Sequence, residues 1–299
     1  MIFHGEYRFY QNGELLATHK NILTDEGKRL ILRYLAGQAA GLGEAIALGV
    51  GQTPASVSDS RLTFEVERAI VTLTNADYTG NKLVFKTTLE QELVLKIYES
   101  GLWSTTLNTS NTDNDSRLLT TFDTNTEEWN NVSLENTIAR TSADAVTVAA
   151  AANATTSTRL DVEMDLSGYS NNDVFLLAFQ KTSSNITDIS LTFENETGNS
   201  FSLNKSITSL PVDYNVLSFR KGDFIANGPI SWDFITKFGV DVKAGASGGN
   251  VVLDAIRIED TDTVNPDHVL VSRSVLSTPL VKTSIAPMDI EYVLEIKFG

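Results

Sequence analysis

At 299 residues with 41% hydrophobic side chains, the chain is long enough for two domains and apolar enough to bury a sizeable core. Its 23 basic against 38 acidic side chains, a formal charge of −15, speak against wrapping nucleic acid and against an anionic membrane surface, both of which need clustered Lys and Arg. No apolar run reaches membrane-spanning length, the first residues lack a secretory-signal pattern, and having no Cys removes disulfides, thiolate chemistry and Cys-based zinc sites together.

Taken in chain order, residues 6–10 alternate as a strand. A helix then starts at Thr24, a good N-cap, with Asp25 and Glu26 in the dipole-favoured first turn. Leu30, Ile31, Tyr34 and Leu35 form its apolar stripe and Gly37 stops it. "IALGVGQTPASVSDSRLTFEVERAIV" reads as two strands joined by a wholly polar connection. Within it Glu65 and Arg68 are three apart, which in a regular strand puts them on opposite faces. An ion pair between them needs a bend or bulge, and a subunit contact is the other reading.

A strand over 83–89 follows, and the polar "STTLNTSNTDNDS" of 104–116 reads as a linker or surface loop. Beyond it short strands recur at 158–164, 174–180, 189–194, 200–205, 215–220, 238–242 and 251–258, with turn residues between them. That spacing is the pattern of an antiparallel sandwich or jelly roll. The closing "MDIEYVLEIKF" alternates strongly, with Ile290, Tyr292, Leu294 and Ile296 on one face, and needs partners from the first region. The expected fold is mainly β: a discontinuous β-rich module of residues 1–103 plus 268–299 with one helix, interrupted by a β-sandwich jelly-roll insert at 117–267.

No constellation points to catalysis. His4, His19 and His268 stand in three different contexts without metal-ligand spacing, and the neighbours Glu127 and Glu128 read as solvated loop charge rather than a glycosidase pair. Nucleophile-elbow, P-loop and dinucleotide fingerprints have no convincing context. The sequons at Asn131, Asn153, Asn185, Asn195 and Asn204 read as chance matches in an Asn- and Thr-rich stretch. The chain is expected not to be an enzyme.

The ordered segments "ILTDEGKRLILRYLAG", "IALGVGQTPASVSDSRLTFEVER", "LVFKTTLEQELVLKIYESGLWS" and "LVSRSVLSTPLVKTSIAPMDIEYVLEIKF" resemble a β-rich module of tailed-bacteriophage virion proteins. The resemblance covers roughly the first hundred residues and the last thirty. It implies a structural component of tail, baseplate or collar, made in the host cytoplasm. Such a component assembles as a ring or trimer with itself and with other virion proteins. Glu65, Arg68, Lys282 and Tyr292 are then the candidates for assembly contacts.

In the insert, "RLLTTFDTNTEEW", "DLSGYSNND", "NVLSFRKGDFIANGPISWDFI" and "NVVLDAIRIED" are similar to carbohydrate-binding modules with a galactose-binding-like jelly-roll fold. That likeness implies Asp123 and Asp254 as candidates for a structural calcium, against a plain turn or strand-end role. It also implies Trp129, Tyr169, Phe224 and Trp232 as candidates for stacking on host-surface glycan, against core packing. The alternative whole-chain reading is a receptor-binding or adhesin protein, or a head-decoration or fibre protein.

Overall fold

The computed structural model describes residues 2–39, 41–105, 117–123, 127–134, 140–142, 144–260 and 268–297. In chain order the elements are β1 (Ile2–Gln11), β2 (Glu14–Lys20), β3 (Ile22–Leu23), α1 (Asp25–Leu35), β4 (Ala45–Gly49), β5 (Glu65–Ile70), β6 (Leu73–Asp77), β7 (Lys82–Leu89) and β8 (Leu95–Thr105). They continue as β9 (Arg117–Thr120), β10 (Ser133–Leu134), β11 (Val146–Ala150), β12 (Thr155–Met164), β13 (Val174–Lys181), β14 (Ile186–Glu194), β15 (Ser200–Ser206) and β16 (Tyr214–Arg220). The last strands are β17 (Ile225–Asn227), β18 (Ile235–Ala244), β19 (Gly249–Glu259), β20 (His268–Lys282) and β21 (Met288–Lys297).

The chain divides into two compact units, one of Met1–Asn111 with Thr263–Gly299 and one of Thr112–Asp262. Of the expected linker, Ser104 and Thr105 close β8, with the Ser104 hydroxyl on the Gly41 carbonyl, while 106–116 lie outside the described residues, as do 261–267 of the insert. Both units are antiparallel β-sandwiches, and the fold is mainly β with one helix.

In the first unit the sheets run β2-β1-β21-β7-β6 and β3-β20-β8-β4-β5. Strand β21, set up by its alternation, lies between β1 and β7, so that Tyr292 stands opposite Tyr7 and Phe85. Its inward face joins Phe9, Ile46, Leu48, Ile97 and Leu102 in one core, which Leu30 and Ile31 of α1 complete. The Tyr7 and Ser272 hydroxyls share a 2.8 Å hydrogen bond that ties one sheet to the other across this core. Thr24 caps the helix by accepting the Gly27 N–H at 2.9 Å. A Cβ at Gly27 would stand 2.1 Å from the Val271 carbonyl of β20, so only glycine lets the helix approach this closely.

The second unit packs β10-β11-β19-β13-β16, with β9 also on β19, against β12-β18-β14-β15-β17. Consecutive strands cross repeatedly between the two sheets, the jelly-roll habit, and each alternates apolar side chains inward. Phe175, Leu177, Phe179, Ile189, Leu191, Phe193, Phe238, Val240 and Leu253 form the core they share.

Candidate functional site

The polar connection between β4 and β5 is held from beneath by a buried charge pair. The Glu99 carboxylate of β8, fully buried, accepts the backbone N–H groups of Gly51, Thr63 and Phe64 at 3.1, 2.9 and 2.8 Å. Arg273 of β20, also buried, forks onto Glu99 Oε2 at 3.0 and 2.7 Å. Its remaining donors reach the Asp59 carboxylate, the Thr53 carbonyl and the Thr63 hydroxyl at 2.8, 2.9 and 2.7 Å. One guanidinium thus fixes a loop that has no regular structure of its own. Sequence reading missed this pair because its members are 174 residues apart.

Beside it, Glu65 and Arg68 pair within the chain, at 2.6 and 2.8 Å. The bulge that such a pair requires is present: Leu48 faces Glu67 and Gly49 faces Glu65, leaving Val66 as the extra residue. Arg68 also lies 4.3 Å from the Trp103 ring centroid. The other two assembly candidates lie inside the unit. The Lys282 ammonium donates to the carbonyls of Gln91, Thr283 and Ala286 at 3.0, 3.0 and 3.1 Å. The Tyr292 hydroxyl receives the Asn21 amide at 3.0 Å and is pushed up to about 12 by burial. Both side chains hold the fold together and are out of reach of a neighbouring subunit.

In the second unit Asp254 is an anchor for the 140–141 backbone. Its carboxylate accepts N–H from Arg140 and Thr141, O–H from Thr141 at 2.9 Å and O–H from Tyr214 at 2.8 Å. With its oxygens engaged by protein donors, the site does not fit a calcium ligand set, which needs those lone pairs for the ion. Among the described residues no group of three His, Asp or Glu side chains is placed to hold a metal. At Asp123 the backbone carbonyl accepts the Glu127 N–H at 2.8 Å.

The aromatic candidates belong to the core or its margin. Trp129 is buried against Phe122 and Phe238, and its indole N–H donates to Glu127 at 2.7 Å. That contact and the Thr120 hydroxyl account for Glu127, whose carboxyl burial holds above the usual range. Tyr169 is buried. Trp232 is half-buried, with Phe201 stacked parallel to it at 4.2 Å and Phe224 edge-on at 5.5 Å. Trp129 and Tyr169 are thus buried, while Phe224 and Trp232 are half-buried at the margin of the core.

What the second unit does present is a polar sheet face. Between the inward residues of β12, β14 and β18, the intervening ones point away from the core and meet across strands. Arg159 Nε contacts Glu194 and Arg159 Nη1 contacts Asp241, both at 2.7 Å. The Thr192 hydroxyl donates to the other Asp241 oxygen at 2.7 Å, and the Ser190 hydroxyl donates to Asn204 at 2.9 Å. Gly239 lies among them, where a Cβ would stand only 1.9 Å from the Thr158 carbonyl. The array is a set of carboxylate, guanidinium, hydroxyl and amide groups bonded to one another across strands. Only the register of four strands, β12, β18, β14 and β15, brings it together, so no local sequence signal marks it.

No protein-family model matches the chain, and no curated protein matches it. Solved structures similar to it include carbohydrate-binding modules. The family 11 module from Clostridium thermocellum, in complex with a β-1,3-1,4-mixed-linked tetrasaccharide, is 12% identical with a TM-score of 0.36, over 48% of this chain and 95% of that one. The C-terminal family 6 module of LamC from Zobellia galactanivorans is 12% identical with a TM-score of 0.32, over 48% and 99%. An agarase, AgWH50C, is 11% identical with a TM-score of 0.36, over 45% of this chain but only 24% of its own.

Proposed function

We propose that the chain is a structural subunit of a tailed-bacteriophage virion, of tail, baseplate or collar, whose first unit assembles with copies of itself. One observation supports the assembly most. Apart from Val212, Ile225 and Phe234, every large apolar side chain exposed among the described residues belongs to the first unit. There Leu15 and Leu16, Ile22, Ile70 and Leu73 sit on edge strands and Leu32, Tyr34 and Leu35 on α1, while Val57, Tyr78, Val281 and Ile285 lie elsewhere on the unit. Edges of this kind are covered in closed symmetric assemblies. The virion setting rests on the resemblance of the four segments. Mass spectrometry of gradient-purified particles tests it: the chain is expected at a fixed copy number per particle, and its absence from infectious particles overturns the reading.

The polar face around Arg159 favours a second role for the other unit, contact with a host-surface glycan. A glycan array with the full chain is expected to show retention that Arg159→Ala abolishes while the melting curve of the second unit stays cooperative. Retention unchanged in Arg159→Ala removes the face from the account.

A further inference from the structure

Strand β2 closes one edge of its sheet, and we infer that it is a contact between copies: β2 of one chain pairs antiparallel with β2 of a second about a two-fold axis at Ala17. The inference rests on the repeated-subunit reading and names its contact.

The backbone leaves this edge available. The Asn21 N–H donates to the Gly5 carbonyl at 3.2 Å, and in an antiparallel pair alternate residues face the same neighbour, so His19 and Ala17 also turn to β1. Thr18 and, at the bulge between Leu15 and Ala17, Leu16 are left for the open side. The Lys20 carbonyl accepts the Ser274 hydroxyl at 2.9 Å, which ends the free edge there. A row of unpaired donors and acceptors at the border of a sheet is a template for another strand.

The side chains select which strand. Read as Glu14-Leu15-Leu16-Ala17-Thr18-His19-Lys20, β2 is complementary to its own reverse. An axis at Ala17 sets Glu14 opposite Lys20 of the second copy at both ends, Leu15 opposite His19 and Leu16 opposite Thr18. Glu14 and Lys20 are exposed, and among the described residues neither has an ion partner in its own chain. Leu15 and Leu16, at 54% and 43% exposure, are covered by the pairing. Two other edges lack these properties. Glu65 of β5 is engaged by its own Arg68, and β12 is covered by Asn130, whose side-chain oxygen accepts the Arg159 N–H at 3.1 Å. Charge also permits the contact: the first unit holds 13 basic against 16 acidic side chains of a chain that carries −15, so most of the repulsion between copies belongs to the second unit.

Sedimentation velocity of charge variants of the full chain tests the pairing. Glu14→Lys and Lys20→Glu each put like charges opposite one another at both ends, and each is expected to raise the concentration needed for association at least about tenfold. The double variant, and an equimolar mixture of the two single variants, restore opposite charges at both ends and are expected to associate like the parent protein. In a chain with no other Cys, Ala17→Cys brings two thiols to a non-hydrogen-bonded pair, about 4.5 Å between Cα atoms, and is expected to give linked pairs on mild oxidation while Thr79→Cys stays unlinked. Single-charge variants that associate like the parent protein, or a mixture that fails to recover, overturn the inference and leave the repeated-subunit reading standing. So do an assembly with an odd number of copies and an Ala17→Cys chain that associates without linking. A parent protein that remains monomeric at every concentration overturns the repeated-subunit reading itself.

Discussion

Arg273 is a cation taken wholly out of water, so its value to the fold depends on every partner staying in place. Truncation to Arg273→Ala leaves the buried Glu99 carboxylate uncompensated and releases the loop that Asp59, Thr53 and Thr63 tether. The expected loss is about 3–5 kcal/mol, the cost of breaking a buried pair from one side, read in a urea titration of the full chain. A loss below about 1 kcal/mol, the range of an exposed pair, would contradict the clamp. Asp254 behaves differently, because burial holds its carboxyl above the usual carboxylate range. The native state then binds a proton more readily than the unfolded chain. The destabilising share of the buried charge is present above the native pKa and fades as pH falls through it toward the unfolded value of about 3.9. Asp254→Asn keeps an acceptor for the Arg140 and Thr141 N–H groups without the charge. Its melting temperature relative to the parent protein is therefore expected to be more favourable at pH 7 than near pH 4, and the reverse trend contradicts the assignment.

The elements explain which of these features can be read from the chain. Strand β12 meets β18 with Thr158 opposite Val240 and Arg159 opposite Gly239, and the pairing leaves no room for a methyl at Gly239. Gly239→Ala is expected to cost the second unit about 1–3 kcal/mol, the overpacking range, and to separate β12 from β18 in hydrogen exchange. Protection unchanged along Thr155–Met164 would contradict it. The expected positions of α1 and of most strands in the second unit agree with the structure because capping and two-residue alternation act within a few neighbours. The bulge at Val66 is different. The Glu65–Arg68 spacing shows only that a bulge would be needed, and the bulge itself is fixed by how β5 lies on β4. The Arg159 face is further from local sequence still, since Arg159, Glu194 and Asp241 look like ordinary outward residues until three strands are aligned. The aromatic candidates illustrate the converse: a Trp near a turn reads the same whether it faces a ligand or, like Trp232, another ring of its own chain.

At the scale of the whole molecule, each unit has its own pair of sheets and its own core. Excising Thr112–Asp262 with a short linker in its place is therefore expected to leave a folded first unit, with a β-type circular dichroism spectrum and a cooperative melt. An aggregated product would contradict independent cores. The texture of the sequence, alternating strands returning after a long polar stretch, makes the discontinuity visible, whereas the edges left unpaired are visible only once both strand orders are known. Those edges lead to the central claim, that the chain works as a repeated subunit. Mass photometry of the purified full chain from nanomolar to micromolar concentration tests it most directly. The account predicts a discrete closed oligomer that grows at the expense of the monomer as concentration rises; a single monomeric species across the whole range would contradict it.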